Sequence, residues 1–158
     1  MVVGCKNMKD MKRILNFAMM LATAVLFLAG CKEKDEVMHR IVGEWRYTDE
    51  ESGNELDIRV AFNVDKTFDL YQKVGEGAHR YYKGTYTVNL TRVNGVYSDG
   101  TPWASEYDVT FMNGDMIMQS TSSEGYSITY KKERIPDEVR NHYVDMTKSA
   151  AEDFVPFL

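Results

Sequence analysis

Cysteine is nearly absent from this 158-residue chain, which has only Cys5 and Cys31. Both lie at or before the end of an apolar leader, so no disulfide staples the remainder, and the paired spacings of a cysteine zinc site are missing. Histidine is scarce as well. His39, His79 and His142 are the three present, and none is spaced with a second ligand as a metal site requires. No nucleophile elbow and no phosphate loop occur. Glu106 and Asp108 share a strand face, but opposite Tyr107 and Val109, which makes them ordinary solvated positions. There is no basic excess either: the formal charge is −5, and nucleic-acid phosphates repel such a chain. These absences lead to the expectation of a protein that is not an enzyme, with no cofactor, no metal and no nucleic-acid partner.

What is present is concentrated at the start. Residues 14–29 form an apolar run of 16, short of the roughly 20 residues that cross a bilayer. A basic stretch precedes it, and Met1, Met8 and Met11 each offer a start, with Met11-Lys12-Arg13 the most compact positive end. The run closes on Leu28-Ala29-Gly30-Cys31, after which the composition turns to Lys-Glu-Lys-Asp-Glu. This architecture reads as a signal peptide over 1–30. The four residues are similar to the lipobox of bacterial lipoproteins, a resemblance that implies cleavage before Cys31 and lipid attachment to its sulfur. The leader carries a net +3, so the 128 residues from Cys31 onward carry −8. Attachment to a membrane is then expected from lipid rather than from side-chain charge. Residues 31–39 read as a charged tether.

From residue 41 the hydrophobic period becomes two, the mark of half-buried strands. Trp45 and Tyr47 share a face with Gly43. Leu56, Ile58, Val60, Phe62 and Val64 alternate with polar partners, as do Phe68 and Leu70, then Tyr82, Gly84, Tyr86 and Val88. Tyr107 and Val109, Met116 and Met118, and Ile128 and Tyr130 continue the pattern. Asp65-Lys66, Gly75-Glu76-Gly77, Asn94-Gly95 and Asn113-Gly114 supply turn chemistry. About eight strands in consecutive hairpins predict an all-β fold, a small antiparallel up-and-down barrel over 40–134, since closure removes exposed edges. In the tail, 135–158, the Ile135-Pro136-Asp137-Glu138 start and the spacing of Val139, Tyr143 and Met146 predict a C-terminal helix to about Ala151.

Three short motifs carry a family resemblance across residues 40–134. Gly43-Glu44-Trp45 is similar to the Gly-x-Trp signature of lipocalins. Phe62-Asn63-Val64-Asp65-Lys66-Thr67-Phe68 and Gly84-Thr85-Tyr86 follow it in the order seen in the lipocalin-like domains of Bacteroidetes lipoproteins, which the segment resembles. The resemblance implies a lipocalin-like barrel with Trp45 at its closed end. Lys34-Asp35-Glu36 resembles the signal that sends such lipoproteins to the cell surface, so the expected location is the bacterial envelope, anchored to the outer membrane and surface-exposed.

An eight-stranded barrel is either just filled by side chains or holds one small ligand. The candidate interior is Trp45, Tyr47, Ile58, Val60, Phe62, Phe68, Leu70, Tyr82, Tyr86, Val88, Tyr107, Val109, Met116, Met118, Ile128 and Tyr130. Adaptable methionine beside hydrogen-bonding tyrosine suits an apolar or amphipathic small molecule. The alternative is an interaction module that holds an envelope protein or a glycan through its outer face and the 98–105 loop. On that reading Tyr71, Tyr81 and Trp103 are exposed aromatics.

Overall fold

A computed structural model describes residues 36–49, 56–122, 125–148 and 156–158. The expected signal peptide, the Leu28–Cys31 motif and Lys34-Asp35 lie outside the described residues. Residues 36–41 are helical (α1) and lead into eight strands: β1 (Gly43–Asp49), β2 (Leu56–Phe62), β3 (Thr67–Val74), β4 (His79–Asn89), β5 (Arg92–Tyr97), β6 (Tyr107–Met112), β7 (Asp115–Ser120) and β8 (Ser127–Lys132). Each pairs antiparallel with its neighbours in sequence, and β8 returns to β1, so the sheet closes on itself. The fold is the all-β up-and-down barrel of eight strands that the alternation predicts, lipocalin-like in its topology. A short helix α2 (Asp137–Asn141), a three-residue strand β9 (Tyr143–Asp145) parallel to β4, and a 3₁₀ turn (Met146–Lys148) follow.

Local chemistry accounts for the turns. Asn113 and Gly114 take φ of 54° and 95°, the two left-handed residues of a tight hairpin whose twist matches the strands. Asp65 accepts hydrogen bonds from the Thr67 amide (3.1 Å) and hydroxyl (2.6 Å), which fixes the β2–β3 turn with Lys66 at φ 66°. Asn94-Gly95, by contrast, is no turn. Both residues lie within β5, and the β4–β5 hairpin turns at Leu90-Thr91, with Leu90 at φ 57°. The glycine serves packing instead: a Cβ at Gly95 would lie 2.4 Å from the Trp103 ring.

Several outward and tail positions differ from the alternation reading. Residues 36–39 of the expected tether are helical, with Val37 and Ile41 buried under the barrel. Val64, expected inside, sits in the β2–β3 turn and is 84% exposed. The C-terminal helix ends at Asn141. His142 leaves helical backbone, and Tyr143 turns instead to the rings of Tyr81 and Tyr71, at 4.7 and 5.7 Å between centroids.

The tail thereby forms a belt across the outer face of the wall. The Ile135 amide donates to Glu44, the Arg140 guanidinium pairs with Glu44 at 2.8 Å, and Ile135 is fully buried beside Ala61 and Tyr71. Tyr71, expected to be exposed, is 5% exposed for that reason. Beside the belt, Asp57 joins Arg46 (2.9 Å), Arg59 (3.1 Å) and His79 (3.2 Å), and both arginines also reach Glu133. Burial works against the Asp57 charge. The hydrogen bonds from His79 and Arg46 and the Arg59 charge outweigh it and hold the carboxyl well below the usual carboxylate range.

Candidate functional site

The two ends of the barrel differ. At the base, where β1 begins and β2 ends, α1 closes the opening. The Trp45 indole N–H donates to the Ile41 carbonyl at 2.8 Å, and the Arg40 guanidinium lies 4.4 Å over the Phe111 ring. Trp45, 2% exposed, thus seals the interior from below. Above it Ile58, Val60, Phe62, Phe68, Leu70, Val109, Met116 and Met118 are at most 1% exposed. These alternate inward along β2, β3, β6 and β7, because successive strand side chains point to opposite faces. Fifteen of the sixteen candidate residues, including Tyr86, Val88 and Ile128, join one buried cluster; Tyr47 is half-buried at its margin.

The cluster also contains residues that alternation did not mark. Val93 and Tyr97 line β5, on the face misassigned when Asn94-Gly95 is taken for a turn. Trp103, expected to be exposed in its loop, is 6% exposed. Its loop folds back along β5 through a Val96–Pro102 bridge and a Trp103 amide bond to the Gly95 carbonyl (2.9 Å). The indole then drops into the space over Gly95, against Phe68, Tyr107 and Phe62 at 5.2, 6.1 and 6.3 Å between centroids. Only the tertiary pairing of a glycine with a bulky ring reveals this. A glycine inside a strand is its sequence signal, since it often marks such a close approach.

Toward the mouth the packed interior becomes rich in tyrosine. Tyr107 and Tyr126 share a hydrogen bond of 2.7 Å, Tyr97 packs on Tyr82 (6.0 Å), and Tyr47 meets Tyr130 edge-on (6.1 Å). Burial, more than any neighbour, pushes the Tyr97, Tyr107 and Tyr130 hydroxyls far above the ordinary phenol value. They stay protonated across the physiological range and keep their O–H donors. The buried polar atoms of this interior without a hydrogen-bond partner include the Tyr82 and Tyr130 hydroxyls and the Trp103 indole N–H. Each such group costs roughly 1–3 kcal/mol when buried unmatched.

No family model, curated protein or solved structure matches the chain.

The remaining candidate groups are dispersed. His79 is held by Asp57, and the His142 ring nitrogen lies 3.2 Å from the Glu138 carbonyl. Among the described residues no group of three or more histidine, cysteine or acidic side chains is placed to hold a metal ion. Glu106 pairs with Arg92 at 2.8 Å, and Asp108 accepts from the Thr91 hydroxyl, so these two carboxylates are each tied to β4–β5 neighbours. On the outer face an open groove of about 410 Å³ runs over β3, β4 and β5, lined by Thr67, Asp69, Lys83, Thr85, Val96 and Ser98 among others.

Proposed function

We propose that this chain is a non-enzymatic, lipid-anchored protein of the bacterial cell envelope, held at the outer membrane through Cys31, whose barrel takes an apolar or amphipathic small molecule. The observation that supports the ligand reading is the presence of unmatched polar atoms on Tyr82, Tyr130 and Trp103 within the largely apolar barrel interior. A purely structural core gains nothing from leaving them unpaired, whereas a ligand with matching polar atoms recovers their cost. The anchoring reading rests on the Leu28–Cys31 motif and its apolar leader. Several acyl chains on one cysteine make attachment durable where one chain would not.

The test has two parts. Mass spectrometry of the membrane-extracted protein should find residues 1–30 removed and acyl chains on Cys31; an intact leader with a bare thiol defeats the anchoring reading. Organic extraction of the same material should release a stoichiometric small molecule, and a crystal structure with a solid barrel that takes up no added hydrophobe defeats the ligand reading. The alternative, a partner protein or glycan on the outer face, loses its aromatic platform because Trp103 and Tyr71 are buried. It retains the groove over β3–β5.

A further inference from the structure

Each hairpin at the base of the barrel carries an exposed apolar side chain. Val64 is in the β2–β3 connection, Leu90 in the β4–β5 turn, and Met112 ends β6 beside the Asn113-Gly114 turn. They are 84%, 50% and 61% exposed. Followed round the closed wall, with its stagger shared evenly among the tilted strands, the ladder registers bring the three to one level, about one residue apart. Leu90 holds φ 57°, a left-handed position that glycine and asparagine take more readily. The turn thus keeps a large apolar side chain half in solvent although its backbone favours another residue. The other exposed large apolar side chains are spread out: Val96, Tyr143 and Val144 on the wall and belt, Val74 and Tyr126 toward the mouth.

The chain reaches the barrel at this same end. α1 lies across the base: Lys66 Nζ of the β2–β3 turn is 3.6 Å from Met38 Sδ, and Arg40 covers the β6 ring of Phe111 at 4.4 Å. Helical backbone starts at Glu36, and residues 32–35 separate it from Cys31. Those five steps of chain span at most about 18 Å. An anchor on Cys31 therefore enters the lipid beside the base. The mouth is at the opposite end, where the Leu158 main-chain oxygen accepts the Tyr97 hydroxyl at 2.8 Å and Phe157 stacks on Tyr47 at 5.7 Å.

From this we infer that the base is a membrane-docking surface. Val64, Leu90 and Met112 enter the headgroup boundary of the bilayer that holds the Cys31 acyl chains, and the mouth points away into solution. This inference rests on the lipid-anchoring reading above and adds to it a face and an orientation. A fluid surface receives each of the three separate tips at its own place. The short tether holds them at high effective concentration beside the lipid, so shallow insertion of each is enough. The charges beside the tips, Lys66, Lys132 and Arg40 with Asp65, Asp115 and Glu36, balance in sign. Docking is then an apolar contact that salt screening leaves largely intact.

The experiment uses the membrane-extracted protein, methyl-labelled at methionine, in nanodiscs of phosphatidylethanolamine and phosphatidylglycerol that carry a doxyl lipid. The Met112 methyl resonance should broaden strongly and that of Met146, in the 3₁₀ turn after the belt, should stay narrow; high salt should change neither. Val64→Ser/Leu90→Asn should lower the docked-to-free ratio roughly tenfold or more, read as sharpening of Met112. Both side chains are exposed and asparagine accepts φ 57°, so the variant should melt at or above the native midpoint. Met112 and Met146 broadened alike, with Cys31 found acylated, overturns the docking face and leaves the anchor standing. Met112 broadened equally in native and variant protein overturns the part given to the tips. A dimer of the native chain in detergent that the variant loses makes the base a contact between two copies, and overturns the membrane as its partner. A bare Cys31 overturns this inference together with the anchoring reading beneath it.

Discussion

Replacing Gly95 with alanine tests the packing logic of the barrel at one atom. The added Cβ would lie 2.4 Å from Trp103 Cε2, 2.6 Å from Cζ2 and 2.8 Å from Nε1, about 1 Å inside ordinary van der Waals contact. The methyl is fixed to the backbone of a strand paired with β4, so the indole has to yield. That ring is wedged against Phe62, Phe68 and Tyr107, and a shift of about 1 Å is passed to all three, since close-packed interiors transmit strain. Overpacking of this kind costs about 1–3 kcal/mol, and full expulsion of the indole about 3–5 kcal/mol. With a urea dependence of about 2 kcal/mol/M, a loss near 3 kcal/mol lowers the unfolding midpoint by roughly 1.5 M. Tryptophan fluorescence follows the transition directly. Combining the change with Trp103→Leu removes the ring that is struck, so the pair should be less than additive, with a coupling of about 1 kcal/mol or more. A Gly95→Ala midpoint within error of the native one, or strict additivity, refutes the packing described here.

Two further outcomes follow from the same structure. The Tyr97, Tyr107 and Tyr130 hydroxyls are shifted upward by burial, so the stability they lend is complete below the ordinary phenol value near 10 and is lost as pH climbs toward their folded values. An alkaline titration of tyrosinate absorbance should show exposed tyrosines ionising first and the buried group only together with loss of ellipticity; one smooth transition for all would contradict their burial. Ile135→Ala empties a fully buried position beneath the belt and should cost about 2–5 kcal/mol. Limited proteolysis should then cut within 134–148 while the barrel survives, and resistance equal to the native chain would show that the belt does not depend on that contact.

The strand pattern was legible because burial in the barrel is one-sided, so Ile58, Val60, Phe68 and Leu70 announce their face through alternation alone. The chain departs from that pattern where a second layer covers the first. Tyr71 occupies an outward position, and its burial depends on Ile135 and Tyr143 arriving from more than 60 residues later. The apolar Ile135 and Val139 in a polar tail were the available sign that something lay beneath them. Helical spacing of Val139, Tyr143 and Met146 lost to ring packing and to pairing with β4, a tertiary gain greater than the weak helical preference of so short a segment. Asn94-Gly95 has strong local turn character, yet the ladder with β4 runs through it and the hairpin bends at Leu90 instead. In the site, the methionine and tyrosine lining could be read directly. The polar atoms left unmatched, and the return of Phe157 and Leu158 to the mouth, arise from packing between segments far apart in sequence.

The barrel closes through a narrow seam. β1 pairs with β8 at Trp45 with Lys132 and Arg46 with Lys131, extended by the Glu133 amide donating to the Glu44 carbonyl at 3.0 Å and reinforced by the Arg46–Glu133 pair across 87 residues. During synthesis β1 and β2 can form a hairpin early, but the other edge of β1 stays open until residue 132 has been made. That edge offers unpaired amides and carbonyls to any passing strand, and the loop that finally closes it is the longest in the barrel, which slows the last step. The order of events is therefore built into the topology: a curved sheet grows from its first strand, and its interior is enclosed only once the last strand returns to the first.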